Sequence, residues 1–153
     1  MVADGIRYVA ISCHMLIGDE EFRSLPNGQR YLWVMLLISP LPQRSGLFKG
    51  GDTLLAAYSD VPVDEARAAL DAFESREWIK RLDGYTWVRN RIKYSNQSPQ
   101  WLHCAYGEAY ALVKKTDLAR QLLEYYNQPE TQGPAPNMAK GKFPQFDGNG
   151  VLR

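Results

Sequence analysis

A chain of 153 residues holds one modest hydrophobic core, and its formal net charge of +1 carries no argument for nucleic acid by itself, so any such role must come from where the charges sit. The longest strongly apolar run, Tyr31 to Ile38, falls far below the roughly 20 residues of a membrane-spanning helix, which leaves a core helix and no membrane partner. The only cysteines, Cys13 and Cys104, stand far apart and no N-terminal stretch has the pattern of a secretory leader, so a reducing cytoplasm is expected.

From the start, "IRYVAISCHMLI" mixes branched and aromatic residues without clean alternation and reads as a strand, an irregular arm, or both, within an N-terminal arm over 1–20. "SLPNGQRYLWVMLLISP" predicts a first helix over about Asn27 to Ser39, opened by Ser24, Pro26 and Asn27 and closed by Pro40 and Pro42. "GLFKGG" suits a short strand between glycines. Asp52 is placed to cap a second helix, "TLLAAYS", and a tight turn over Ser59 to Val61 ends it. Pro62 fits the first turn of a third helix, whose Ala66, Ala69, Leu70 and Phe73 recur at the spacing of one buried face. "WIKRL" and "YTWVRN" flank Asp83-Gly84, a dipeptide suited to two consecutive positive φ angles and therefore to a hairpin.

After the polar "SNQSP", a helical seam runs through Leu102, Ala105, Ala109, Leu112, Thr116, Ala119, Leu123 and Tyr126, as one long helix or two shorter ones. It packs on the preceding domain or pairs with its copy in a homodimer through 102–126. From Asn127 the chain is rich in Pro, Gly, Asn and Gln and reads as a flexible tail over 127–153, with Phe143 and Phe146 as a short sticky motif. The fold class expected is α+β, mostly helical. Two helices joined by a short turn and followed by a hairpin give a winged helix-turn-helix over 1–100, with a C-terminal helical extension over 101–126.

With "FRSLPNGQRYLWVMLLISP", "SGLFKG", "VPVDEARAALDAFESREWIKRLDG" and "TWVRNRIKYSNQSP" in this order, residues 20 to 100 resemble the N-terminal winged-helix domain of bacteriophage replication-initiation and primosome-type proteins, the DnaD-like group. The resemblance implies a phage or prophage protein of replication initiation or gene control, in the cytoplasm of a bacterial host cell, that binds DNA, or binds other replisome proteins, without catalysis.

The charges divide these two roles. The third helix carries Asp64, Glu65, Asp71, Glu74 and Glu77 against Arg67 and Arg76, a balance of −3 that phosphates would repel. Arg67 and Arg76 are its only cationic contacts for DNA. The hairpin and its exit carry Lys80, Arg81, Arg89, Arg91 and Lys93 against Asp83, a balance of +4, so a basic wing is the expected DNA contact. The bland alternative is that these cations serve solubility and protect a strand edge. Tyr85, Tyr94 and Trp101 lie close enough in sequence to stack on bases, whereas Trp87 reads as hairpin packing. As exposed charges, Arg89 and Arg91 are expected to contribute little to folding.

Cys13-His14 and His103-Cys104 together offer a Cys₂His₂ set, but adjacent ligands on a strand point to opposite faces, and buried apolar cysteines are the simpler reading. No Gly-rich phosphate loop or triad-like grouping is present, and Glu20-Glu21 and Asp64-Glu65 match the acidic preference of helix starts. No cofactor, no metal and no enzymatic role are expected. DNA binding through the wing is favoured narrowly over a protein-interaction module that uses the acidic helix.

Overall fold

The computed structural model of the chain describes residues 17–39, 41–93 and 98–127. The expectations for the arm and the tail, and those for Cys13, His14, Tyr94, Phe143 and Phe146, fall on residues outside these. In chain order the elements are α1 (Glu20–Ser24), α2 (Asn27–Ile38), β1 (Leu47–Lys49), α3 (Asp52–Ser59), α4 (Val63–Ser75), β2 (Ile79–Leu82), β3 (Tyr85–Val88), α5 (Pro99–Ala111) and α6 (Asp117–Tyr126). The architecture is α+β and mostly helical, with six helices and one small antiparallel sheet of order β1-β3-β2 among the described residues.

Local chemistry explains where each element starts and stops. α1, which the sequence pattern missed, is a single capped turn: the Asp19 carboxylate accepts from the Glu21 amide at 2.9 Å and the Phe22 amide at 3.3 Å. Asp52 is the first residue of α3 rather than its cap; Gly51 takes the cap position, and Asp52 Oδ1 accepts from the Thr53 amide at 2.8 Å. Asp60, at φ 55°, closes α3 in the left-handed conformation. Pro62 sits one residue before α4, its carbonyl accepting from the Glu65 and Ala66 amides. Asp83 and Gly84, at φ 56° and 78°, form the two-residue hairpin turn.

The sheet has two buried faces because side chains alternate along each strand. Phe48, Ile79 and Val88 point to one side, where α2, α3 and α4 supply Leu32, Trp33, Leu36, Leu55, Ala66, Ala69, Leu70 and Phe73. Leu47, Tyr85 and Trp87 point to the other, where α5 and α6 supply Leu102, Ala105, Tyr106, Ala109, Leu118, Ala119, Leu122 and Tyr126. All four residues of β3, the middle strand, are therefore buried.

The C-terminal seam is two helices, and the break explains which of its positions went astray. α5 ends at Ala111, and Thr116 starts α6 by accepting from the Leu118 amide at 3.2 Å. A new helix start resets the phase, so Leu118 and Leu122 are buried while Leu112 and Leu123 remain partly exposed. The seam packs against the chain's own sheet, the first of the two expected alternatives, rather than being left for a homodimer contact through 102–126. Thr116→Ala removes this cap and is expected to cost about 1 kcal/mol of stability, read as a lower denaturant midpoint with an unchanged slope.

Candidate nucleic-acid interface

The elements expected to meet DNA are α4, the hairpin and the turn that leaves it. Away from its buried stripe α4 exposes Val63, Asp64, Glu65, Arg67, Ala68, Asp71 and Ser75, with Ala72 half-buried. Of these only Arg67 belongs to the arginine, lysine, asparagine and glutamine class that reads base edges as a fork. The two arginines of the segment are engaged at the flanks. Arg67 Nε donates to Asp52 Oδ2 at 2.9 Å and its Nη1 to Asp64 Oδ1 at 3.4 Å. Arg76 Nη1 donates to the Ala72 carbonyl at 3.2 Å, and its guanidinium lies over the Trp78 ring at 5.8 Å.

The five hairpin cations do not line one face. Lys80 and Arg81 are neighbours on β2 and point to opposite sides of the sheet. Lys80, opposite Trp87, turns toward α6 and donates to Gln121 Oε1 at 3.4 Å. Arg81, opposite Thr86, turns toward α4, where Nη2 donates to Asp71 Oδ1 at 2.5 Å and to Glu74 Oε1 at 3.0 Å. The Arg81 backbone amide donates to Glu74 Oε2 at 2.7 Å as well. Partial burial alone would lower the Arg81 pKa, but the bonds to Asp71 and Glu74 outweigh it and hold the guanidinium above its ordinary value. Asp71 and Glu74 of α4 are thus partly neutralised by Arg81 of the hairpin.

The exit turn is equally committed. Arg89 is 19% exposed, with Nη1 4.0 Å from Glu77 Oε2 and its guanidinium 5.4 Å from the centre of the Tyr125 ring. Arg91 Nη1 donates to the Leu37 carbonyl at 2.9 Å and Nε to the Gln43 carbonyl at 3.2 Å. Burial pushes the Arg91 pKa below the ordinary guanidinium value. The Leu37 carbonyl belongs to the last turn of α2, so Arg91 satisfies a helix end that has no basic residue of its own. Gly46, at φ 82°, makes room for it: a Cβ there would lie 2.7 Å from Arg91 Cβ and 2.6 Å from the Val88 carbonyl oxygen. The half-buried Lys93 offers its backbone amide to the Tyr126 hydroxyl at 3.2 Å.

Of the residues expected to stack on bases, Tyr85 is only 8% exposed and belongs to the second core, which corrects that expectation. Trp101 packs half-buried against the same core. His103 is exposed and Cys104 partly so, and among the described residues no group of three His, Cys, Asp or Glu side chains could hold a metal.

Two residues gain weight that the sequence pattern did not give them. Lys49 ends β1 exposed, opposite Tyr85 and beside the hairpin turn, a position visible only once β1 is paired with β3. Glu108 on α5 accepts from the Arg44 amide, the Ser45 amide and Arg44 Nη1, each at 3.1 Å, and so ties the loop before β1 to the C-terminal helices. That tie spans more than sixty residues and leaves no local signature.

Comparison of the chain with protein-family models, with curated proteins and with solved structures finds no match. Among the described residues no helix is long and apolar enough to cross a membrane.

Proposed function

We propose that the chain is a non-catalytic winged-helix protein of the phage replication-initiation type that binds a partner protein through the outward face of α4, with DNA contact as the second reading. The order α2-β1-α3-α4-β2-β3 with strands arranged β1-β3-β2 is the order a winged helix-turn-helix requires, and it supports the family resemblance carried by residues 20 to 100. The observation that carries the protein reading is the pairing of Arg81 with Asp71 and Glu74 beside an α4 face of acidic and small residues. Such a face repels a phosphate backbone, and its one fork, Arg67, is engaged by Asp52 and Asp64. Small residues such as Ala68 and Ala72 let a partner's backbone approach closely, and the acids around them select a partner that is basic at its contact.

The DNA reading is favoured by Lys49, exposed at the turn end of the sheet. One cation beside a two-residue turn supports a phosphate contact; it does not supply the row of contacts that tight binding needs.

Photo-cross-linking tests the protein reading. A photoreactive phenylalanine analogue at Ala68, which is exposed on α4, is expected to trap a discrete protein in the cell of origin, while the same analogue at the exposed Lys115, between α5 and α6, traps none. Equal trapping from both positions, or none from Ala68, would overturn it.

A further inference from the structure

The loop that leads into β1 closes around one carboxylate. Gln43 adopts the left-handed conformation at φ 49°, and the two amides that follow it, those of Arg44 and Ser45, converge on Glu108 Oε2, each at 3.1 Å. The Arg44 guanidinium donates to the other oxygen, Oε1, at 3.1 Å. Successive amides turned to one side of a tight turn make a concavity that binds anions, and the guanidinium adds a charge-assisted bond. The Arg44 side chain is 52% exposed and the Glu108 side chain 24%, so solvent reaches the contact. Neither partner depends on the other for its place. Leu102, Ala105, Tyr106 and Ala109 dock α5 on the sheet, while the Gln43 carbonyl accepts from Arg91 Nε at 3.2 Å and the Pro42 carbonyl from the Gly46 amide at 2.6 Å.

We propose that residues 43–45 form a binding site for the oxyanion of a carboxylate or phosphate group, with Glu108 as its built-in occupant, which an external oxyanion replaces. The exchange is like for like. The incoming oxyanion takes the same two amides and the same guanidinium, and the released Glu108 carboxylate passes to water, so no charge is left buried and unpaired. Because Glu108 is tethered on α5, it competes at an effective concentration of roughly millimolar or higher. Dilute free anions are therefore kept out, and the site answers to an oxyanion presented at high local concentration, on a molecule already held at a neighbouring surface. Exchange frees the loop from α5 while Arg91 still holds it, so it loosens the tie between the hairpin side of the fold and the C-terminal helices.

An NMR titration of the full chain at constant ionic strength, read at the Arg44 and Ser45 amides, tests this with inorganic phosphate in one arm and acetate in the other. In Glu108→Ala the site is open, and at least one of the two probes shifts both amides saturably. The wild type needs about tenfold more of that probe, since Glu108 must first be displaced. Adding Arg44→Ala to the open variant weakens binding by about tenfold, through loss of the charge-assisted bond. Glu108→Gln, which keeps the shape of the side chain without its charge, falls between wild type and Glu108→Ala, and it takes the place of the alanine variant if circular dichroism shows that one unfolded. The arm that saturates at the lower concentration tells phosphate from carboxylate. No saturable shift with either probe, the same midpoint for wild type and the open variant, or a response indifferent to Arg44→Ala would overturn the proposal.

Discussion

Replacing Trp87 by alanine is expected to cost about 3–5 kcal/mol of stability, enough to unfold a domain of ordinary margin. Trp87 is 1% exposed in the middle strand, lies opposite Leu47 on one neighbour and Lys80 on the other, and meets the Tyr125 ring edge-on with centres 5.6 Å apart. It is the largest side chain of the core that joins the sheet to α5 and α6. The loss is therefore predicted to fall first on the docking of these two helices. Its indole Nε1 is buried with no hydrogen-bond partner among the described residues. Trp87→Phe gives up area but relieves that unmet donor, so it should cost markedly less than alanine. Denaturant unfolding of the two variants separates the terms: equal losses would show that ring packing contributes nothing.

Arg91→Ala is the second large effect, and it reverses what the sequence suggests. A basic residue at a hairpin exit reads as a dispensable surface charge. In the fold its guanidinium bridges the end of α2 and the loop at Gln43, two segments about fifty residues earlier in the chain. Removing it leaves the Leu37 carbonyl with one partner fewer at a half-buried site, at an expected cost of about 1.5–3 kcal/mol. Arg91→Lys should recover only part of this, since a point charge cannot serve two carbonyls as a fork does. Arg89→Ala, which breaks a 4.0 Å ion pair and a ring contact, should cost less. Thermal midpoints of the three variants give the order. An Arg91→Ala midpoint equal to wild type would refute the clamp.

The hairpin and α4 were legible in the sequence because their signals are local. Asp83-Gly84 dictates a turn wherever it lies between two strand-like runs, and Ala66, Ala69, Leu70 and Phe73 mark a helix face without reference to anything else. The surface formed by these elements was less legible. A count of charges along the hairpin gives +4, yet neighbouring strand residues face opposite ways, and Arg81 meets acids on α4 that the count assigned to a separate, repulsive helix. Charge patterning read along a chain overestimates a patch whenever opposite signs are brought together by folding. The C-terminal seam shows a related limit: a three-four repeat can be followed across Leu112 to Thr116 on paper, but the break there moves burial from Leu123 to Leu122. Tyr85 shows a third limit. Its proximity to cations suggested stacking, and only the second helical layer reveals it as core.

The central claim is that the α4 face and the hairpin are built for a protein rather than for DNA. Fluorescence anisotropy with duplex and single-stranded DNA at two salt concentrations tests it most directly. The account predicts no binding tighter than the non-specific range of about 10⁻⁴–10⁻⁶ M, with a salt slope of about one phosphate contact that Lys49→Ala abolishes. Nanomolar affinity for duplex DNA, with a slope of several phosphate contacts that falls when Arg89 is replaced by alanine, would contradict it.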